Sequence, residues 1–148
     1  VQEEIGLRGA EMMAQSIKPN VAIITDVCHD TTTPMIDKIE QGEVIGGEGP
    51  CLTIGPAVQN NLLKLIKETA TKEKIPFQRL AASRSTGTDT DAFAYSNGGV
   101  PSALISLPLK YMHTTVEAAH KDDVLNVIKL IYFALQKIKN NHDFRYFN

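Results

Sequence analysis

Two apolar runs constrain what this chain can fold into: Val21-Ala22-Ile23-Ile24-Thr25 and Val100-Pro101-Ser102-Ala103-Leu104-Ile105-Ser106-Leu107. A short run of this kind, rich in β-branched residues, marks a strand buried on both faces. Around the two runs, apolar residues recur at helical spacing. Leu7, Ala10, Met13, Ala14 and Ile17 form one such series, stopped by Lys18-Pro19-Asn20. Val58, Leu62, Leu65, Ile66 and Ala70 form a second, in a helix opened by Gly55-Pro56, with Lys64, Lys67, Glu68 and Lys72 facing outward. Val124, Val127, Ile128, Ile131, Leu135 and Ile138 form a third, beginning after Asp122-Asp123. Cys51–Ile54 and Ile75–Ala82 read as further strands, and residues 31–50 as loop. This alternation predicts an α/β fold, a mixed and mostly buried sheet flanked by helices.

The length of 148 residues is one domain's worth. A net charge of −2 leaves no basic footprint for nucleic acid. No apolar run approaches the roughly 20 residues that span a bilayer. Two cysteines, Cys28 and Cys51, are too few for a disulfide framework and point to a reducing, cytoplasmic setting. The chain opens without Met on Val1-Gln2, residues that read as the end of a buried strand, so a piece of a longer protein is expected.

Chemistry-bearing residues cluster at the predicted strand ends. If Val1-Gln2 closes a strand, Glu3 and Glu4 point to opposite sides and cannot share one task. One can hold a cation while the other faces an attacking water; solvated surface charge is the alternative. Gly6 and Gly9 allow close backbone approach where the chain turns into its first helix. Asp26 follows the first apolar run, where α/β sheets place their ligands, or else caps the next turn. His113 follows the second run and is the strongest ligand candidate of the four histidines. The polar stretch Thr86-Gly87-Thr88-Asp89-Thr90-Asp91 either caps a short helix, through Thr88 or Asp89, or lines a site. The glycines between residues 42 and 49 do not fit a Walker A loop, and no HExxH helix is present. Carboxylates converging with an imidazole suit Zn²⁺ or Co²⁺.

In order along the chain, four motifs resemble those of TET-type aminopeptidases, the glutamyl or deblocking family of dinuclear metallopeptidases. They are Gln2-Glu3-Glu4-Ile5-Gly6-Leu7-Arg8-Gly9-Ala10, Asp26-Val27-Cys28-His29-Asp30, Gly87-Thr88-Asp89-Thr90-Asp91-Ala92 and Tyr111-Met112-His113-Thr114-Thr115-Val116-Glu117. Gly47-Glu48-Gly49-Pro50 and Gly55-Pro56 with Asn60 fit as well. The resemblance covers Val1 to about Ile138 and implies the C-terminal half of a catalytic domain. It implies a zinc-aminopeptidase-like α/β/α sandwich, an activity that removes N-terminal residues from peptides, and two divalent ions, Zn²⁺ or Co²⁺. Carried over by position, Glu3 is the general base, Glu4 and His113 ligate one metal, and Asp26 ligates the other. The family's remaining His, its bridging Asp and its inserted assembly domain lie upstream of the Glu pair. A homo-oligomer is therefore expected of the intact protein, and an inactive, largely metal-free state of residues 1–148 alone. Thr114-Thr115 replaces the commoner Ser/Thr-Pro after the His, a change expected to affect loop shape. Two other readings stand beside this one. A glycoside hydrolase, the endoglucanase label that some family members carry, needs two carboxyls about 5–5.5 or 6.5–9.5 Å apart and no metal. A non-catalytic truncated fragment needs no site at all.

Overall fold

A computed structural model describes residues 1–144 and 146. Parts of the polar tail Asn140–Asn148, namely Arg145, Phe147 and Asn148, lie outside the described residues. Five strands form one mixed sheet: β1 (Ala22–His29), β2 (Cys51–Ile54), β3 (Gln78–Ala81), β4 (Ser102–Lys110) and the two-residue β5 (Ala118–Ala119). The order is β1-β4-β2-β3, with β5 paired to β4. β1 runs parallel to β4 from Ala22↔Ser102 to His29↔Leu109. β2 runs antiparallel to β4, with Cys51 opposite Ser106, and parallel to β3.

The helices are α1 (Arg8–Ile17), α2 (Lys38–Gln41), α3 (Asn60–Lys72), α4 (Asp89–Ala94) and α5 (Lys121–Lys137). The main core joins Leu62 and Ile66 of α3, Val127, Leu130 and Ala134 of α5, Leu52 of β2 and Ala103–Ile105 of β4. Burying aliphatic side chains of this size stabilises by about 1.5–3 kcal/mol each, which fixes α3 and α5 on the sheet. α4, braced by α1, packs against β1 and β4. Among the described residues, no helix is long and apolar enough to cross a membrane.

The sheet flanked by helices matches the expected fold class, while several local expectations are corrected. Both long strands continue through polar residues and Pro108, because pairing between β1 and β4 holds the backbone extended over the whole register. Asp26 therefore lies within β1 and not beyond it. β1 stands at the end of the strand order and is buried only at Ala22 and Cys28. No strand forms at Val1-Gln2: Gln2 is left-handed (φ 60°) and Glu3–Ile5 is a single 3-10 turn. Met13 and Ile17 of the α1 stripe are exposed, as are Val124, Ile128 and Leu135 of the α5 stripe. α3 begins at Asn60, capped by the Gln59 side chain, several residues after Gly55-Pro56. Asp122 and Asp123 lie inside the first turn of α5, which His120 caps.

Candidate active site

The four expected residues come from three chain segments and line one cavity of about 440 Å³. Glu3 and Glu4 sit on the 3-10 turn. The amide of Gly9 donates to the Val1 carbonyl at 3.0 Å, which folds that turn back on α1. A Cβ at Gly9 would fall 2.5 Å from that carbonyl oxygen, so this glycine is required by close approach. Asp26 occupies β1 opposite Ser106, and its Oδ1 accepts the Val27 amide at 2.7 Å. His113 follows β4 in a left-handed conformation (φ 62°). Its amide donates to Glu117 Oε1 at 2.6 Å, and the Thr114 hydroxyl donates to the Tyr111 carbonyl, also at 2.6 Å. Glu117 and Thr114 thus hold the strained turn that presents the imidazole.

The structure brings Glu4 and His113 together, with Oε1 and Nε2 3.4 Å apart. Asp26 lines the same cavity from the sheet. Among the described residues, no group of three or more His, Cys, Asp or Glu lies close enough to hold a metal ion.

Electrostatics tie the carboxylates into one system. Burial, then repulsion from Asp26, Glu4 and Asp89, raises the Glu3 carboxyl above the usual carboxylate range, and His113 partly opposes the rise. Asp26 is likewise raised, chiefly by burial and further by Asp89 and Glu4, against the hydrogen bond from Val27. Asp89 was legible in the sequence only as a helix cap or a loop-lining residue. The cap of α4 is Thr88, whose hydroxyl accepts the Thr90 amide, while Asp89 Oδ1 is buried with no hydrogen-bond partner among the described residues.

The sequence reading missed other parts of the cavity. Thr53 and Ser106 are buried polar residues on its lining, and Glu40 and Gln41 of α2 also line it. The available signal was a hydroxyl set between apolar residues, Thr53 between Leu52 and Ile54 and Ser106 between Ile105 and Leu107. Asp30 and Asp123 anchor the glycine-rich loop beside the sheet. Asp30 Oδ2 accepts the Gly46 amide at 3.1 Å, and Asp123 accepts the amides of Gly47 and Gly49 at 2.7 and 2.8 Å. Burial works against an ionised Asp30, but bonds from the Thr32 hydroxyl and amide, the Gly46 amide and the Lys110 charge outweigh it and lower its carboxyl.

Comparison with known proteins bears on this geometry. The family described as M42 glutamyl aminopeptidase matches residues 1–130. The chain is 38% identical over 141 residues to a lysyl aminopeptidase of Pyrococcus furiosus, covering 94% of this chain and 39% of that protein. It superposes on the crystal structure of a TET aminopeptidase from a marine-sediment thaumarchaeon with a TM-score of 0.86 at 29% identity, covering 95% of this chain and 39% of the other. The TET1 peptidase of Pyrococcus horikoshii, which assembles into a tetrahedron or a large octahedral shell, gives a TM-score of 0.66 at 28% identity and covers 91% and 38%. The chain thus spans about two fifths of the length of the relatives it matches.

Proposed function

Since this chain belongs to the M42 glutamyl aminopeptidase family, we propose that it is the C-terminal portion of a catalytic domain that removes N-terminal residues from peptides. One observation carries the reading furthest: Glu3, Glu4, Asp26 and His113, far apart in sequence, gather around a single cavity. In this reading Glu4 and His113 hold one divalent cation and Asp26 a second. Carboxylate oxygen with imidazole nitrogen is a donor set that Zn²⁺ and Co²⁺ both accept. Burial is the main cause of the raised Glu3 and Asp26 carboxyls, and the like charge that adds to it fits the same reading, because cations between these groups would offset that part.

When bound, such cations polarise the scissile carbonyl and acidify a water. Glu3 takes no part in holding them. It accepts the water's proton and returns it to the departing nitrogen. Glu117 acts at one remove, by fixing the turn that aims His113.

Residues 1–148 by themselves hold too few ligands for two ions, so we assign the isolated chain neither stoichiometric metal nor peptidase activity. The intact protein, by this reading, is a homo-oligomer acting on peptides. The test uses the complete polypeptide that carries this chain. Glu3→Gln should keep its metal content and lose hydrolysis of aminoacyl-anilides, whereas His113→Ala should lose metal. Turnover that survives Glu3→Gln removes Glu3 from the base role. Elemental analysis of residues 1–148 alone that finds one or more Zn²⁺ or Co²⁺ per chain overturns the incomplete-site reading.

A further inference from the structure

Two cysteines take no part in the hydrolysis described above, and the fold brings them together. Cys28 of β1 and Cys51 of β2 are both free and buried, and they pack with Val44 in one small cluster, with Leu80 against it. Asp26 and Cys51 are both in register with Ser106 of β4. Cys28 follows Asp26 by two residues, so strand alternation puts both thiols on the cavity face of the sheet. Cys28 lines the cavity, while Cys51 is fully covered. A hydrogen bond with the Cys51 thiol, then burial, pushes the Cys28 thiol above its ordinary range, which sets the two sulfurs side by side.

The same topology keeps them from bonding to each other. β4 runs between β1 and β2. Two strand spacings hold the Cα atoms about 9–10 Å apart, whereas a disulfide closes only below about 7 Å. An ion between the sulfurs adds two metal–sulfur bonds to the span, about 4.6 Å in all when each is about 2.3 Å, the length found for zinc. Among the described residues no group of three His, Cys, Asp or Glu forms around them, so Zn²⁺, which takes four ligands, does not fit. Thiolate sulfur selects soft cations, and the apolar Val44 and Leu80 favour a complex without net charge. From this arrangement we infer that Cys28 and Cys51 form a binding site for a soft divalent cation that takes two ligands in line, of which Hg²⁺ is the type, entered from the cavity past Cys28. On binding, each thiol gives its proton to water and each sulfur forms a bond to the ion. Two thiolate charges then cancel the charge of the ion, and nothing is oxidised or reduced. The site leaves Glu4, Asp26 and His113 untouched and does not depend on the aminopeptidase reading.

The experiment dialyses the complete polypeptide, Cys28→Ser, Cys51→Ser and the double variant against HgCl₂ with excess 2-mercaptoethanol, a one-sulfur competitor. Bound Hg²⁺ is counted by elemental analysis, and the double variant sets the background from any other cysteines. The parent should hold one Hg²⁺ per chain above that background. Each single variant should bind it about 100-fold more weakly, because only in the parent does a second sulfur act at high effective concentration. A single variant that retains the ion as well as the parent overturns the inference, since one sulfur then suffices. A parent with no ion above background overturns it too, as does a Cys28–Cys51 disulfide found by peptide mapping under non-reducing conditions. If the variants do not fold, mass spectrometry of tryptic peptides from the Hg²⁺-loaded parent decides. The ion should bridge the Cys28 and Cys51 peptides, and an ion on either peptide alone overturns the inference.

Discussion

Asp123→Ala tests whether the glycine-rich loop is held by one buried carboxylate. Asp123 is fully buried in the first turn of α5, and its two oxygens accept the amides of Gly47 and Gly49 at 2.7 and 2.8 Å. Hydrogen bonds to a carboxylate contribute about 1.5–3 kcal/mol each. The Gly47 amide lies in an exposed residue and can turn to water, whereas Gly49 is buried and cannot. The expected loss for Asp123→Ala is therefore about 2–4 kcal/mol, below the sum of two full bonds. Asp123→Asn keeps one acceptor oxygen, which can stay on Gly49 while its NH₂ faces Gly47. It should cost about 1–2 kcal/mol. Urea titration followed by circular dichroism reads both, with the midpoint falling and the slope unchanged. An alanine variant within about 0.5 kcal/mol of the parent chain, the usual range for surface substitutions, would refute the reasoning, as would an Asn variant less stable than the Ala variant.

Other perturbations test the loop and the charge of the cavity. Gly49 has φ +101°, and a Cβ there would meet the Pro76 carbonyl oxygen at 2.3 Å, so Gly49→Ala should cost about 2–4 kcal/mol by the same titration. Gly42 also has positive φ but nothing within 4 Å of its added Cβ, and Gly42→Ala should cost only about 1 kcal/mol. In metal-free buffer with chelator, the raised Glu3 and Asp26 carboxyls make the folded chain bind more protons than the unfolded chain between the ordinary carboxylate value and their raised folded values. Stability should rise as pH falls through that window, and Asp26→Asn should flatten the rise. Asp30 has the opposite sign: its contribution is present above the ordinary carboxylate value and is lost as pH falls through its lowered folded value.

What could be read in the sequence were features that depend on near neighbours in the chain. The apolar run that became β4 and the stripe of α3 are local patterns, and both elements formed. The stripes of α1 and α5 were read as apolar residues at helical spacing, and Met13, Ile17 and Ile128 on them are exposed. Periodicity identifies the apolar face of a helix; it does not say whether anything packs on that face. The ends of β1 and β4 were misplaced for a related reason, since residue-by-residue pairing with a distant strand overrides the local signal of Asp26, His29 or Pro108. Glu3, Glu4, Asp26 and His113 were singled out through motifs, and all four line one cavity. Asp123 was read only as charge before a helix and Thr53 only as part of a strand, because their surroundings exist only in three dimensions. Asp123 holds a loop 76 residues away, and Thr53 lines the cavity.

Backbone strain and like charge meet at this cavity, and their coincidence bears on what it is for. On one side Gln2 and Leu7 adopt φ 60° and 55°; on the other Tyr111 and His113 adopt 55° and 62°. A non-glycine residue held there costs of order 1–3 kcal/mol, and surrounding contacts must over-determine it for it to persist. Here the Gly9–Val1 bond and the Glu117 and Thr114 bonds do so. The same turns carry Glu3, Glu4 and His113, and the two glutamates share one field with Asp26 and Asp89. A chain with a purely structural role gains nothing by placing strained backbone where carboxyls already repel one another. A cation or a cationic ligand between the carboxyls would offset the repulsion, and the two strained turns would already hold Glu4 and His113 facing each other to receive it.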